Sequence, residues 1–238
     1  MKVLYLGCYR DGTGWAHAAI DYILSLDAAG IEVVPRFIKL NDIDGEVPTK
    51  IDALERNTDK NCDVVIQHVL PHQLDYNGHF EKNISLYVAE TDRCKNSAWP
   101  DRISLMDEAW VPNRHLAEDF AINSNIMTKH FVIPHACDTA KYQKQYKKLD
   151  IPYLKNKFVF YYIGEITRRK NVGALMKAFH LEFEANENVA LLIKGHISGQ
   201  SANETHSYLR DMSSKIKEGL KVYKNNENYH QELFVCDY

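Results

Sequence analysis

Lys2-Val3-Leu4-Tyr5-Leu6-Gly7, followed by Asp11-Gly12-Thr13-Gly14-Trp15 after a short link, is the stretch that decides the fold. Residues 2–7 are apolar with little alternation, as a strand buried in a parallel sheet would be. Residues 11–14 form a glycine-containing loop. Trp15, Ala18, Ala19, Tyr22, Ile23 and Leu26 then recur at helical spacing until Gly30 stops the helix. Strand, glycine turn and helix in this order open an α/β unit.

The rest of the chain repeats the alternation. Residues 31–38 read as a second strand, which Pro35 weakens or places near a sheet edge. A polar loop is expected to about residue 50, then short strands at 64–67, 84–89, 108–111 and 130–133. Asn113 is the expected cap of a helix whose apolar face is Leu116, Phe120 and Ile122. The first unit closes near residue 138. Residues 139–157 read as an exposed linker rich in lysine (Lys141, Lys144, Lys147, Lys148, Lys155 and Lys157). A second series opens at 158–163. It continues with a helical face at Val172, Leu175, Met176, Phe179 and Phe183, a strand at 189–193, a helix at about 203–219 and a strand start at 233–235. The expected fold is α/β: a Rossmann-like doubly wound parallel sheet in residues 1–138, and a partial second Rossmann-like domain in 158–238.

Composition narrows the function. The 29 basic and 32 acidic residues leave a net charge of -3, without the basic surplus of a general nucleic-acid binder. Cys8, Cys62, Cys94, Cys137 and Cys236 are scattered, odd in number and without a Cys-x-x-Cys pair, which argues against structural zinc or a disulfide framework. The N-terminal apolar run is too short for a signal-peptide core. A reduced, cytoplasmic protein is the expectation. The basic linker offers peripheral contact to the inner face of a membrane.

Several constellations carry chemistry. The loop Gly12-Thr13-Gly14 at a helix start is an anion site, because backbone N–H groups converge there and the helix dipole favours negative charge. The dinucleotide fingerprint is not completed: His17 stands at the third glycine position, and the second strand ends in Arg36-Phe37 rather than an acidic residue. Asp42-Ile43-Asp44 has the Asp-x-Asp spacing that some sugar transferases use to hold a divalent metal, here in a polar turn. His68 and His72 have i,i+4 spacing, but Pro71 between them argues against a regular helix and for cleft or surface histidines. Tyr87-Val88-Ala89 runs into Glu90-Thr91-Asp92-Arg93, delivering charges to the carboxyl end of a strand, where open α/β sheets bind ligands. Arg168, Arg169 and Lys170 precede a helix, three cations that a diphosphate would satisfy.

In this order these segments resemble the retaining glycosyltransferases of the GT-B architecture, family four. The resemblance rests on Glu90-Thr91-Asp92-Arg93, on Asp107-Glu108-Ala109-Trp110-Val111-Pro112-Asn113, on Ile133-Pro134-His135-Ala136-Cys137-Asp138 and on Ile163-Gly164-Glu165-Ile166-Thr167-Arg168-Arg169-Lys170-Asn171. It implies two Rossmann-like domains and transfer of a hexosyl group, with retention, from a nucleotide-sugar to a saccharide or lipid-linked acceptor. It requires no metal and no cofactor beyond the donor substrate. Arg and Lys of the family neutralise the leaving diphosphate. Lys170 matches that lysine, whereas Glu165 stands in the arginine's place and Ala136 replaces a glycine. The candidate catalytic residues are His68 and Glu90. The resemblance gives the N-terminal domain the acceptor and the C-terminal domain the nucleotide-sugar; the candidate cofactor-binding residues are Gly12 and Gly14 of the N-terminal glycine loop and Arg168, Arg169 and Lys170 of the C-terminal domain. The family's pair of glutamates falls beyond Tyr238, so 238 reads as a cut length with an incomplete catalytic apparatus. The alternatives are a non-catalytic sugar- or partner-binding module of the same fold, and a metal-dependent transferase using Asp42 and Asp44.

Overall fold

A computed structural model describes residues 1–42, 44–147, 150–225 and 228–237. Ile43, the centre of the Asp-x-Asp motif, and Lys148 of the lysine-rich stretch lie outside the described residues. The chain divides into two compact units, Met1–Lys144 and a second that begins at Gln145. Among the described residues no helix is long and apolar enough to cross a membrane.

The first unit runs β1 (Lys2–Gly7), α1 (Gly14–Ala28), β2 (Glu32–Phe37), α2 (Thr49–Glu55), β3 (Val64–His68), β4 (Lys82–Leu86), α3 (Trp99–Ser104), β5 (Glu108–Val111), α4 (Ala121–Ser124), β6 (His130–Val132) and α5 (Thr139–Gln143). Its six-stranded sheet has the order β2-β1-β3-β4-β5-β6 and is parallel at every pairing. β2, with Pro35, is an edge strand, as a residue without an N–H requires. The chain steps from β1 to β2 on one side and then crosses back to β3 on the other. The strand order therefore reverses between β1 and β3.

Strand residues alternate between the two faces. Val3, Tyr5, Ile66, Ile84 and Leu86 pack with Ala19, Ile20 and Ile23 of α1 and with Ile51 and Leu54 of α2. Tyr87, Ala109 and Val111 face the opposite cluster with Ile103, Leu116 and Phe120. Both faces of the sheet are covered, which is why β1 is apolar from Val3 to Leu6. Helix α1 starts at Thr13, whose hydroxyl accepts from the Ala16 amide at 3.2 Å. It ends where Gly30 takes φ +80°, a left-handed conformation that glycine adopts without strain.

Several expectations are corrected. The polar loop stops at Pro48, and α2 follows because Ile51 and Leu54, one turn apart, reach the core. The strand expected at 84–89 is Lys82–Leu86; the Tyr87 amide still donates to the Trp110 carbonyl of β5 at 3.2 Å, and residues 88–89 lie beyond the strand before Glu90. Helix α3 was not foreseen, with Pro100 at its first turn. Asn113 does cap the next helical turn, accepting from the Leu116 amide at 3.0 Å. That turn is π-helical over Leu116–Phe120, and Ile122 is exposed rather than buried. The stretch expected to be an exposed linker is exposed over 139–147 and contains the boundary between the two units; it also carries α5, capped by Asp138, and a 3-10 turn at Pro152–Leu154.

The second unit runs β7 (Phe158–Glu165), α6 (Val172–Glu182), β8 (Val189–His196), α7 (Ala202–Leu220) and β9 (Leu233–Val235). Its three-stranded parallel sheet has the order β7-β8-β9. Met176, Phe179, Leu191, Ile193 and Leu209 form the core. Helix α7 opens with a capping box: Ser201 accepts from the Glu204 amide, and Glu204 accepts from the Ser201 amide at 2.8 Å.

Candidate functional site

The reversal of strand order places a crevice outside the carboxyl ends of β1 and β3, the position where open α/β sheets take ligands. Gly7 and His68, the last residues of those strands, face each other in register. A cavity of about 490 Å³ opens there. It is lined by Gly14, Trp15 and Ala18 of α1, by His68 at the end of β3 and Leu70 beyond it, by residues 88–91 after β4, by Trp99 of α3 and by His135 after β6. Three residues singled out in the sequence, Gly14, His68 and Glu90, therefore share one cavity.

Each wall has a structural cause. Residues 8–13 are held by their own contacts. Tyr9 donates to Glu55 at 2.5 Å, and Arg10 bridges Asp52 at 2.6 Å and also Glu55. Asp11 is buried and accepts from the Leu40 amide at 3.0 Å. Gly45 packs so closely that a Cβ there would lie 2.9 Å from the Asp11 backbone. Gly14 has no such constraint: a Cβ on it would meet nothing within 4 Å. Trp15 and Ala18, expected on the buried stripe of α1, instead turn toward the cavity, and Ala16, Ala19, Ile20 and Ile23 take the core.

His68 is 1 % exposed. Its Nδ1 lies 2.8 Å from the Tyr5 hydroxyl. The indole of Trp15 stacks on its ring at 5.2 Å, and Tyr22 meets it edge-on at 5.8 Å. Burial, and secondarily the neighbouring His135, hold its pKa down at about 3, so the ring is neutral at physiological pH. Burial pushes the Tyr5 hydroxyl well above its ordinary value, so Tyr5 keeps its proton. The Tyr22 hydroxyl donates to the Ile133 carbonyl at 3.1 Å and ties the segment after β6 to α1. Glu90 is exposed at the rim, and Thr91 beside it bonds the Arg93 carbonyl at 3.1 Å. The Trp15 Nε1 is buried with no hydrogen-bond partner among the described residues.

The remaining candidates lie elsewhere. His72 sits on a 3-10 turn, Pro71–Gln73, and His68 on a strand, so they do not form a helical ligand pair. Asp42 is ion-paired with Lys39 at 2.7 Å, and Asp44 forms an isolated backbone bridge with Asp11. Among the described residues no group of three or more His, Cys, Asp or Glu side chains is placed to hold a metal. Gly12 is exposed on the loop outside the cavity. Arg168, Arg169 and Lys170 are exposed on a turn of the second unit, between β7 and α6. Asn171 there adopts φ +51° at the start of α6.

The second unit also holds a buried charge that the sequence reading missed. Glu232 accepts from Ser213 at 2.5 Å, lies 2.6 Å from Nε2 of His180 and pairs with Lys217 at 2.6 Å. Burial alone would raise its pKa, but hydrogen bonds from His180, Lys217 and Ser213 together outweigh burial and hold it at about 2. With its oxygens engaged by the protein, Glu232 ties β9 to α6 and α7.

Trp15 and Trp99 are among the cavity residues not singled out as site residues in the sequence, with Leu70 and His135. The signal of the two tryptophans was present as aromatic side chains next to the two motifs, Gly12–Gly14 and Glu90–Arg93. A comparison with known protein families and with curated proteins finds no match for this chain.

Proposed function

We propose that the chain belongs to a retaining glycosyltransferase of the GT-B architecture, in which the cavity of the first unit receives a saccharide. The observation that carries this reading is the meeting of Gly14, His68 and Glu90 in one cavity at the reversal of strand order. The cavity suits a neutral polyol. Trp15 and Trp99 line the cavity with aromatic surface of the kind that packs on the C–H face of a sugar, Glu90 offers a carboxylate to its hydroxyls, and His68 offers an uncharged imidazole. A volume of about 490 Å³ accommodates one or two hexose rings.

The donor diphosphate falls to the basic turn of Arg168, Arg169 and Lys170 before α6, where the cations and the helix dipole favour an anion. Those charges stabilise the negative charge that develops on the leaving nucleotide. The acceptor is a saccharide or a lipid-linked saccharide.

Incubation with UDP-, GDP- and ADP-hexoses and a panel of glycan acceptors tests the reading. Release of nucleoside diphosphate, reduced by Lys170→Ala and by Glu90→Gln, is the expected result. No turnover of any donor, together with no saccharide binding in the cavity, would overturn it.

A further inference from the structure

The floor of the cavity raises a question of proton placement. Tyr5 is fully buried, and among the described residues the one partner of its hydroxyl is Nδ1 of His68, at 2.8 Å. A buried O–H needs an acceptor. If Nδ1 carried the proton, the Tyr5 oxygen would accept it and the tyrosine O–H would have nowhere to donate. If Nδ1 is bare, the hydroxyl donates to it and both groups are satisfied.

We propose that Tyr5 is a positioning residue: its hydroxyl donates to Nδ1 of His68 and fixes the ring as the neutral Nε2–H tautomer, a hydrogen-bond donor for a ligand oxygen in the cavity. Three observations support this. His68 lines the cavity, and of its two ring nitrogens only Nδ1 has a protein partner among the described residues, so Nε2 is the atom left for a ligand. The ring is clamped between the stacked indole of Trp15 and the edges of Tyr5 and Tyr22, which opposes its turning. Desolvation by these same groups keeps the ring uncharged.

One consequence concerns the chemistry. A ring with its proton on Nε2 and its other nitrogen engaged cannot act as a general base toward the cavity. His68 then binds and orients an oxygen instead of removing a proton. This use of the tautomer rests on the saccharide reading of the cavity, but the tautomer itself does not.

The test is histidine-ring ¹⁵N NMR on the whole chain, with the signal picked out from the 11 histidines by its loss in His68→Gln. The wild-type ring should show a protonated Nε2 and a bare Nδ1 from pH 5 to pH 8. Tyr5→Phe should bring in the Nδ1–H form and weaken saccharide binding about three- to tenfold, the effect of one misplaced hydrogen bond. An Nδ1–H tautomer in the wild type overturns the proposal, as does a Tyr5→Phe ring that remains wholly Nε2–H. A correct tautomer that no saccharide perturbs supports the role of Tyr5 and counts against the saccharide reading alone.

Discussion

Gly7 stands opposite His68 at the carboxyl ends of β1 and β3, where the strand order of the first unit reverses. A Cβ at Gly7 would lie 3.0 Å from the Tyr5 ring and 3.6 Å from Cβ of His68. The absent side chain leaves room for the buried Tyr5 ring beside His68, which lines the cavity. Gly7→Val should cost about 1–3 kcal/mol of stability through overpacking, measured by urea unfolding. It should also shift the ring signals of His68. Wild-type stability with unchanged His68 signals would mean the pair is not confined there.

Gly14 gives the opposite expectation. Nothing lies within 4 Å of its missing Cβ, and it begins α1 with an ordinary backbone conformation. Gly14→Ala should therefore leave the unfolding free energy within about 0.5 kcal/mol of wild type. Gly14 lines the cavity, so if the added methyl projects into it, calorimetry should show saccharide binding weakened by about 1–3 kcal/mol. Unchanged affinity would place the sugar elsewhere.

The buried imidazole predicts an acid-sensitive first unit. An ordinary histidine titrates near 6.5, whereas burial among Tyr5, Trp15 and Tyr22, with His135 adding repulsion, holds His68 near 3. Between these values the unfolded chain binds a proton that the folded chain does not, so stability falls as pH drops through that window. One such proton is worth about 1.4 kcal/mol per pH unit. Between pH 6 and pH 4 the unfolding free energy of wild type should fall more steeply than that of His68→Gln. Parallel curves would contradict the burial of a neutral ring.

Glu232 predicts a second transition at lower pH. Its pKa is lowered from 4.5 to about 2 by His180, Lys217 and Ser213, against the opposing effect of burial. The stabilisation it contributes is complete above pH 4.5 and is lost as pH falls toward 2. Glu232→Ala leaves His180 and Lys217 facing an empty site and should cost about 3–5 kcal/mol in the second unit. A loss below 1 kcal/mol would show that water replaces the carboxylate.

Periodicity over long segments made most of the architecture legible. Residues 2–7 and Gly30 mark β1 and the end of α1, and Pro35 places β2 at an edge. Helix α2 escaped notice because two residues, Ile51 and Leu54, are all it contributes to the core. Within the site, the motif residues Gly14, His68 and Glu90 were readable one by one. Their meeting was not, because it depends on the crossing from β2 back to β3. The clamp on His68 was hidden as well: Tyr5 looked like one more strand residue and Trp15 like one more residue of a helical stripe.

The chain has three tryptophans, and their indole N–H signals report on the central claim directly. Trp15 and Trp99 line the cavity, whereas Trp110 donates to Glu108 at 3.0 Å and lines a separate apolar cavity. Titration with neutral oligosaccharides should shift the Trp15 and Trp99 signals, leave Trp110 unmoved and lose its effect in Glu90→Ala. Signals that remain still across the whole saccharide panel, or a shift confined to Trp110, would contradict a sugar site at the reversal of strand order.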